Sequence, residues 1–270
     1  MSNLYKIPFY ALAHTLAANL PSTEEIEAGE EINTKFFDGQ YIGENMLFVS
    51  EQTDIPIPRV YAIYQREHSS GRTWTYIIME YIEGRPLNQC WASLDIATKE
   101  SIGSQLRASL DQLRSLAPPD YLGSLDRRPL YDDLFLTDEE EMPRINGPFA
   151  SVANLAEALV LKLQHEDDGF PAERAAYYRR VLSRVLRGDG NIRFTHSDLQ
   201  TNNLMLRPDG RVVILDWQSA GWYPSYWVYS VALVGCGLWE DDFHAWVPKF
   251  LDEHPNEYLW LESIRTSLWY

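Results

Sequence analysis

The chain has 270 residues, 45% of them hydrophobic, with nine Trp, sixteen Tyr and ten Phe, which is enough apolar material to bury a sizeable core. A formal net charge of −16 argues against nucleic acid as a partner, because phosphate neutralisation needs clustered Lys and Arg. The two cysteines, Cys90 and Cys236, form neither a CxxC nor a His-rich pattern, so no zinc site or disulfide framework is indicated and a reducing, cytoplasmic setting is the simplest expectation.

Tyr10 to Ala18 is mildly apolar after Lys6, but His14, Thr15 and Asn19 interrupt it and it is far shorter than the roughly 18 residues of a membrane span. It predicts a short helix; a cleavable signal peptide is the alternative, since small residues near position 18 mimic a cleavage site. No other stretch suggests a membrane segment. Ser22-Thr23-Glu24-Glu25 reads as a capping box for a short helix that Gly29 ends, followed by a strand over Glu31 to Phe37. Tyr41 to Gln52 is predicted helical because Ile42, Met46 and Val49 recur at steps of four and three. Val60 to Gln65 and Thr73 to Met79 are β-rich runs joined through Ser69-Ser70-Gly71, an antiparallel hairpin.

Beyond Gly84 the pattern turns helical. Asp95 to Leu116 carries Ile102, Leu106, Leu110 and Leu113 at helical spacing, and Pro118-Pro119 closes it. Residues 117 to 149 hold five prolines and the acidic run Asp138 to Glu141, so they read as one long loop. A ligand-site wall and a solvated excursion both fit that loop, the second being the plainer reading. Helices over 150–164 and 171–187 lead into a strand at Ile192 to Thr195, and helices over Ser225 to Leu238 and Asn256 to Leu268 complete the chain. No internal repeat is visible.

The segment after that strand carries the chemistry. His196-Ser197-Asp198 is followed by Asn203 five residues after the acid, and Asp216 lies beyond a predicted hairpin made of Leu204-Met205-Leu206, the turn Pro208-Asp209-Gly210, and Val212 to Leu215. A single Asp or Asn in a loop is ordinarily a cap or turn former. Two acids and an amide at this spacing, with a hairpin that would return Asp216 to Asn203, match the needs of phosphoryl transfer: a carboxylate for the attacking hydroxyl and hard oxygen ligands for a magnesium-bound phosphoryl donor.

His196-Ser197-Asp198-Leu199, Asn203-Leu204-Met205-Leu206 and Ile214-Leu215-Asp216-Trp217 together resemble the aminoglycoside phosphotransferase and choline kinase group, a branch of the protein-kinase-like fold. Asp216-Trp217 stands where protein kinases have Asp-Phe-Gly, and no Ala-Pro-Glu segment is present, which disfavours a protein kinase. Upstream, Ile77 to Leu87 resembles the last N-lobe strand and hinge, and Asp54 to Tyr61 the approach to the strand after the N-lobe helix. The resemblance spans roughly residues 22 to 240. It implies an α+β, two-lobed fold, with a truncated β-rich N-lobe over 1–83 and a larger helical C-lobe over 84–270, and ATP-dependent phosphorylation of a small-molecule hydroxyl.

In that reading Asp198 is the catalytic carboxylate, Asn203 and Asp216 hold Mg²⁺, and the backbone of Glu80, Tyr81 and Ile82 meets the adenine of ATP. His196 braces the loop rather than moving protons. Lys35 is the candidate phosphate lysine and Glu44 its partner. The fourteen residues from Glu30 to Gly43 are too few at about 3.3 Å each for three strands, and they contain no GxGxxG, so the first hairpin and its nucleotide flap are missing or rebuilt from residues 1 to 20. A pseudokinase that binds nucleotide or ligand without turnover is therefore the alternative, and a truncated gene product with no stable N-lobe a further rival. The acidic field suits a cationic acceptor, though acidity also serves solubility. Gly221 to Trp227, with Asp241 and Asp242, reads either as an aromatic box for a cation or as C-lobe core, the latter being the plainer. Oligomeric state, the acceptor, and the choice of ATP over GTP are left open by the sequence.

Overall fold

A computed structural model describes residues 5, 7–11, 39–67, 73–137, 142–237 and 239–269. Strands β1 (Phe9–Tyr10), β2 (Val60–Glu67) and β3 (Thr73–Met79) form one antiparallel sheet in the order β1-β2-β3, with Phe9 opposite Ile63 and Ile63 opposite Ile77. Helix α1 (Gly39–Gln52) packs against this sheet through buried Met46, Leu47 and Val49. Gly43 makes the close approach possible, because a Cβ there would meet Ile63 Cδ1 at 2.4 Å.

The larger part is helical. Strand β4 (Arg85–Pro86) follows the hinge, and α2 (Ile96–Ser115) begins at Asp95, whose side chain accepts the Thr98 N–H at 2.7 Å as an N-cap. Helix α3 (Pro143–Asn146) is a single turn, and α4 (Val152–Glu166) and α5 (Ala172–Val185) pack beside each other. Strand β5 (Ile192–Thr195) then leads to the reactive loop, and β6 (Leu204–Leu206) and β7 (Val212–Ile214) form the short hairpin expected there. Strand β8 (Gly221–Pro224) pairs antiparallel with β5, and helices α6 (Trp227–Val234), α7 (Phe243–Phe250) and α8 (Pro255–Trp269) close the chain.

The fold is therefore α+β, with a small antiparallel sheet and its helix set on a larger helical part. One apolar cluster runs from Met46 and Ile63 through Leu106 and Trp217 to Phe250, and a second joins Leu159 of α4, Leu182 of α5 and Ile264 of α8 around Phe135 and Trp227. At the hinge, Gly84 lies so close to β6 that a Cβ would stand 2.5 Å from the Leu206 carbonyl oxygen. Among the described residues, no helix is long and apolar enough to cross a membrane.

Several expectations need correcting. Tyr10, expected to open a helix, lies in β1, where pairing with Ala62 satisfies its backbone. Gly221–Pro224 is a strand, so the following helix starts at Trp227 rather than Ser225 and ends at Val234. Helix α7 was not predicted; Pro248 inside it hides its periodicity. The remainder of the N-terminal apolar segment, the capping-box helix, the strand over Glu31 to Phe37, the Ser69-Ser70-Gly71 turn and the Asp138 to Glu141 run lie outside the described residues.

Asn45 ties α1 to the helical part. Fully buried, its Nδ2 donates to the carbonyls of Trp217 at 2.8 Å, Ala220 at 3.2 Å and Gln218 at 3.4 Å. Three carbonyls converge on one amide. We expect Asn45→Ala to lower stability by about 1–3 kcal/mol, since it strands buried acceptors, as measured by urea denaturation.

Candidate active site

The reactive loop begins where β5 ends. His196 is buried, and the Asp198 N–H donates to its Nδ1 at 3.2 Å, which places the ring proton on Nε2, facing the Leu215 carbonyl at 2.8 Å. Burial lowers the pKa of this imidazole, favouring the neutral form. His196 thus clips the loop to the end of β7, in keeping with a bracing role.

Asp198 is held by amides. The Asn203 Nδ2 donates to Asp198 Oδ2 at 2.7 Å and to its carbonyl at 2.9 Å, and the Gln200 Nε2 donates to Oδ1 at 2.8 Å. With its NH₂ so occupied, the Asn203 amide keeps its oxygen for another partner. The hairpin register then fixes Asp216: Leu204 pairs with Ile214, and the Leu215 N–H donates to the Asn203 carbonyl at 2.8 Å. Asp216 has a left-handed backbone, φ 57°.

Asp198 and Asp216 open onto one cavity of about 420 Å³. Its wall is completed by Asp132 and Asp133 from the long loop, Gln218 after the Asp-Trp pair, and Arg265 from α8. The loop is therefore a cavity wall over this stretch rather than a solvated excursion. Among the described residues, four carboxylates and one guanidinium line the cavity, which makes that lining acidic. Partial burial and then the neighbouring Asp132 carboxylate push the Asp133 carboxyl above the usual range. None of Asp132, Asp133, Gln218 or Arg265 belonged to a recognisable motif; the only signal was the length of the loop carrying two of them.

The other expected residues fall elsewhere. Glu44 on α1 is 2% exposed and forms an ion pair with Arg128, which comes from the long loop and also lies over the Tyr41 ring. Lys35, its expected partner, lies outside the described residues. In the hinge, the Glu80 N–H donates to the Arg59 carbonyl at 2.8 Å and its carboxylate meets Arg207 at 3.4 Å, while Ile82 is buried and Tyr81 is 89% exposed. The aromatic segment is core: Trp222, Tyr223 and Trp227 are buried, and Asp242 bonds Lys99 at 2.7 Å and the Trp91 indole at 2.9 Å.

Among the described residues no three His, Cys, Asp or Glu side chains converge to hold a metal. Magnesium carried by phosphates needs only one or two protein oxygens, and Asp216 with the Asn203 oxygen offers that donor chemistry.

Residues 42–258 match the phosphotransferase enzyme family. The chain belongs to that family. Among solved structures, this phosphotransferase-family chain resembles a putative fructosamine-3-kinase from Haemophilus somnus 129PT, with 14% identity, TM-score 0.53, and coverage of 85% of this chain and 72% of that one. It also resembles the GDP and kanamycin complex of APH(2'')-IIia, with 15% identity, TM-score 0.50, and coverage of 88% and 80%. A third likeness is the GDP complex of wild-type aminoglycoside 2'-phosphotransferase-IIIa, with 15% identity, TM-score 0.50, and coverage of 86% and 71%. No match was found among curated proteins. At such identities the likenesses speak to the fold, and the kinase-like architecture expected from the sequence is present.

The raised Asp133 pKa has a sign that can be measured. Below the ordinary carboxylate range the group is protonated folded or unfolded and costs nothing; as pH rises through its raised folded pKa, stability is lost. Asp133→Asn should therefore raise the melting temperature near neutral pH, with the difference shrinking to nothing in acid, as followed by thermal unfolding across a pH series.

Proposed function

We propose that this phosphotransferase-family chain transfers the terminal phosphoryl group of Mg²⁺-ATP to a hydroxyl of a small, cationic molecule bound in the acidic cavity. The observation that carries this reading is the placement of Asp198, oriented by Asn203 and Gln200, in one cavity with Asp216.

In this reading Asp198 accepts or orients the proton of the acceptor hydroxyl. Asn203 and Asp216 are the metal's protein ligands, and the bound ion supplies charge neutralisation at the phosphates. The adenine is assigned to the backbone of Glu80, Tyr81 and Ile82, with the lobe boundary at 83/84. Neutral His196 keeps the loop in place and passes no proton. A cation suits the cavity because, among the described residues, four carboxylates and one guanidinium, that of Arg265, line it. Asp132 is paired with that arginine, at 3.3 Å. Lys35 is assigned to the phosphates, with Glu44 as its partner.

A second reading, nucleotide binding without turnover, draws on the Glu44–Arg128 pair, in which a guanidinium from the helical part holds the carboxylate expected to steady the lysine.

Two substitutions separate the roles. Asp198→Asn should keep Mg²⁺-ATP affinity while turnover falls by about 10² or more, and Asp216→Ala should remove the magnesium-dependent part of nucleotide binding. Isothermal titration, combined with ATP-consumption assays over amino alcohols, aminoglycosides and sugars, checks both. Equal loss of affinity and turnover in Asp198→Asn would assign that residue to structure instead.

A further inference from the structure

We propose that Asp132 is a positioning residue: from the wall of the cavity it holds Ser197 in a left-handed backbone conformation and thereby aims Asp198. This rests on the function proposed above only for the role of Asp198; the conformational part stands on geometry.

Ser197 lies between His196 and Asp198 with φ 59°. A residue with a Cβ is disfavoured there because the Cβ approaches the following carbonyl oxygen. Something must hold it. The Ser197 hydroxyl donates to Asp132 Oδ2 at 3.1 Å and accepts from the Trp227 indole N–H at 3.0 Å, and the same indole reaches Asp132 Oδ2 at 3.3 Å. Arg265 donates to both Asp132 oxygens, at 3.3 and 3.4 Å, and the Leu134 N–H donates to Oδ1 at 3.0 Å. All four residues are at most 9% exposed.

A buried charge pair of this kind is seldom the most stable way to fill its volume. What it accomplishes is local. His196 is fixed to the Leu215 carbonyl, and Asp198 returns its N–H to the His196 ring, so the sense of the turn at Ser197 decides where the Asp198 carboxylate points. Release of Ser197 to negative φ would break the Asp198 N–H bond and swing the carboxylate away from Asn203. The long loop and α6 meet at this one hydroxyl, and α8 joins them through Asp132.

Hydrogen–deuterium exchange over residues 196–203 tests the hold without any need for turnover. In Asp132→Asn the Asp198 amide should exchange about tenfold faster, the size expected when a left-handed bias is released. Adding Ser197→Gly should return most of the protection, because glycine takes positive φ without the steric cost. Unchanged exchange, or a rise throughout the protein that glycine does not repair, overturns the proposal. Should Asp132→Asn fail to fold, Ser197→Ala against Ser197→Gly decides it: alanine keeps the Cβ and loses the hydroxyl, so it alone should lose protection, and equal behaviour refutes the account.

Kinetics test the second half. Asp132→Asn should lower kcat about tenfold with Mg²⁺-ATP affinity unchanged, and Ser197→Gly should recover part of the loss. A kcat that does not follow the exchange data overturns the positioning role. If the wild-type protein turns over no acceptor, the proposed function fails, while the exchange result still decides the conformational claim.

Discussion

The reactive geometry hangs on a hairpin whose strands are three residues long. Leu204 opposite Ile214, with the Leu215 N–H on the Asn203 carbonyl, sets Asp216 one residue beyond the bond to Asn203, whose side chain also grips Asp198. Side chains alternate faces along a strand, so a slip of one residue would carry Asp216 to the opposite side. Little in three pairs resists such a slip by itself. The register is secured from outside: Val212, Val213 and Ile214 are all buried, and the Ile214 N–H donates to the Pro56 carbonyl at 3.0 Å. His196 adds a cross-brace from the preceding loop to the Leu215 carbonyl.

The helix of the small part is bound into the same arrangement. Asn45 holds the carbonyls just after Asp216, and its neighbour Glu44 is paired with Arg128 of the long loop. Helix α1 is therefore tied to the segment that follows Asp216 as well as to the sheet. Two contiguous side chains on one helix make this link, one neutral and one charged, and both are sheltered from water, where such contacts are least weakened by solvent.

Much of this was legible in the sequence because the elements concerned are governed locally. The α1, β2, β3, α2 and hairpin assignments follow from hydrophobic period and turn residues, and the spacing of Asp198, Asn203 and Asp216 foretold that the hairpin would bring them together. What stayed hidden depends on contacts between residues far apart. Asp132 meets Ser197 across 65 positions and Arg265 across 133, and no local pattern marks such meetings. Arg128 reaches Glu44 across 84 positions, from a loop for which the sequence offered both a ligand-site wall and a solvated excursion. Helix α7 was lost to its internal proline, and β8 to an aromatic run that fits a strand and a core helix equally well.

The order in which these parts emerge during synthesis gives Arg265 a particular significance. Among the described residues, every other one lining the cavity precedes it in the chain, Gly235 being the nearest. Arg265 on α8 is the cation paired with buried Asp132, and a buried carboxylate that lacks such a partner is costly. Consolidation of the cavity must then wait for the final helix, so that a nascent chain complete through β8 carries the reactive loop while the wall that steadies it is still unfinished.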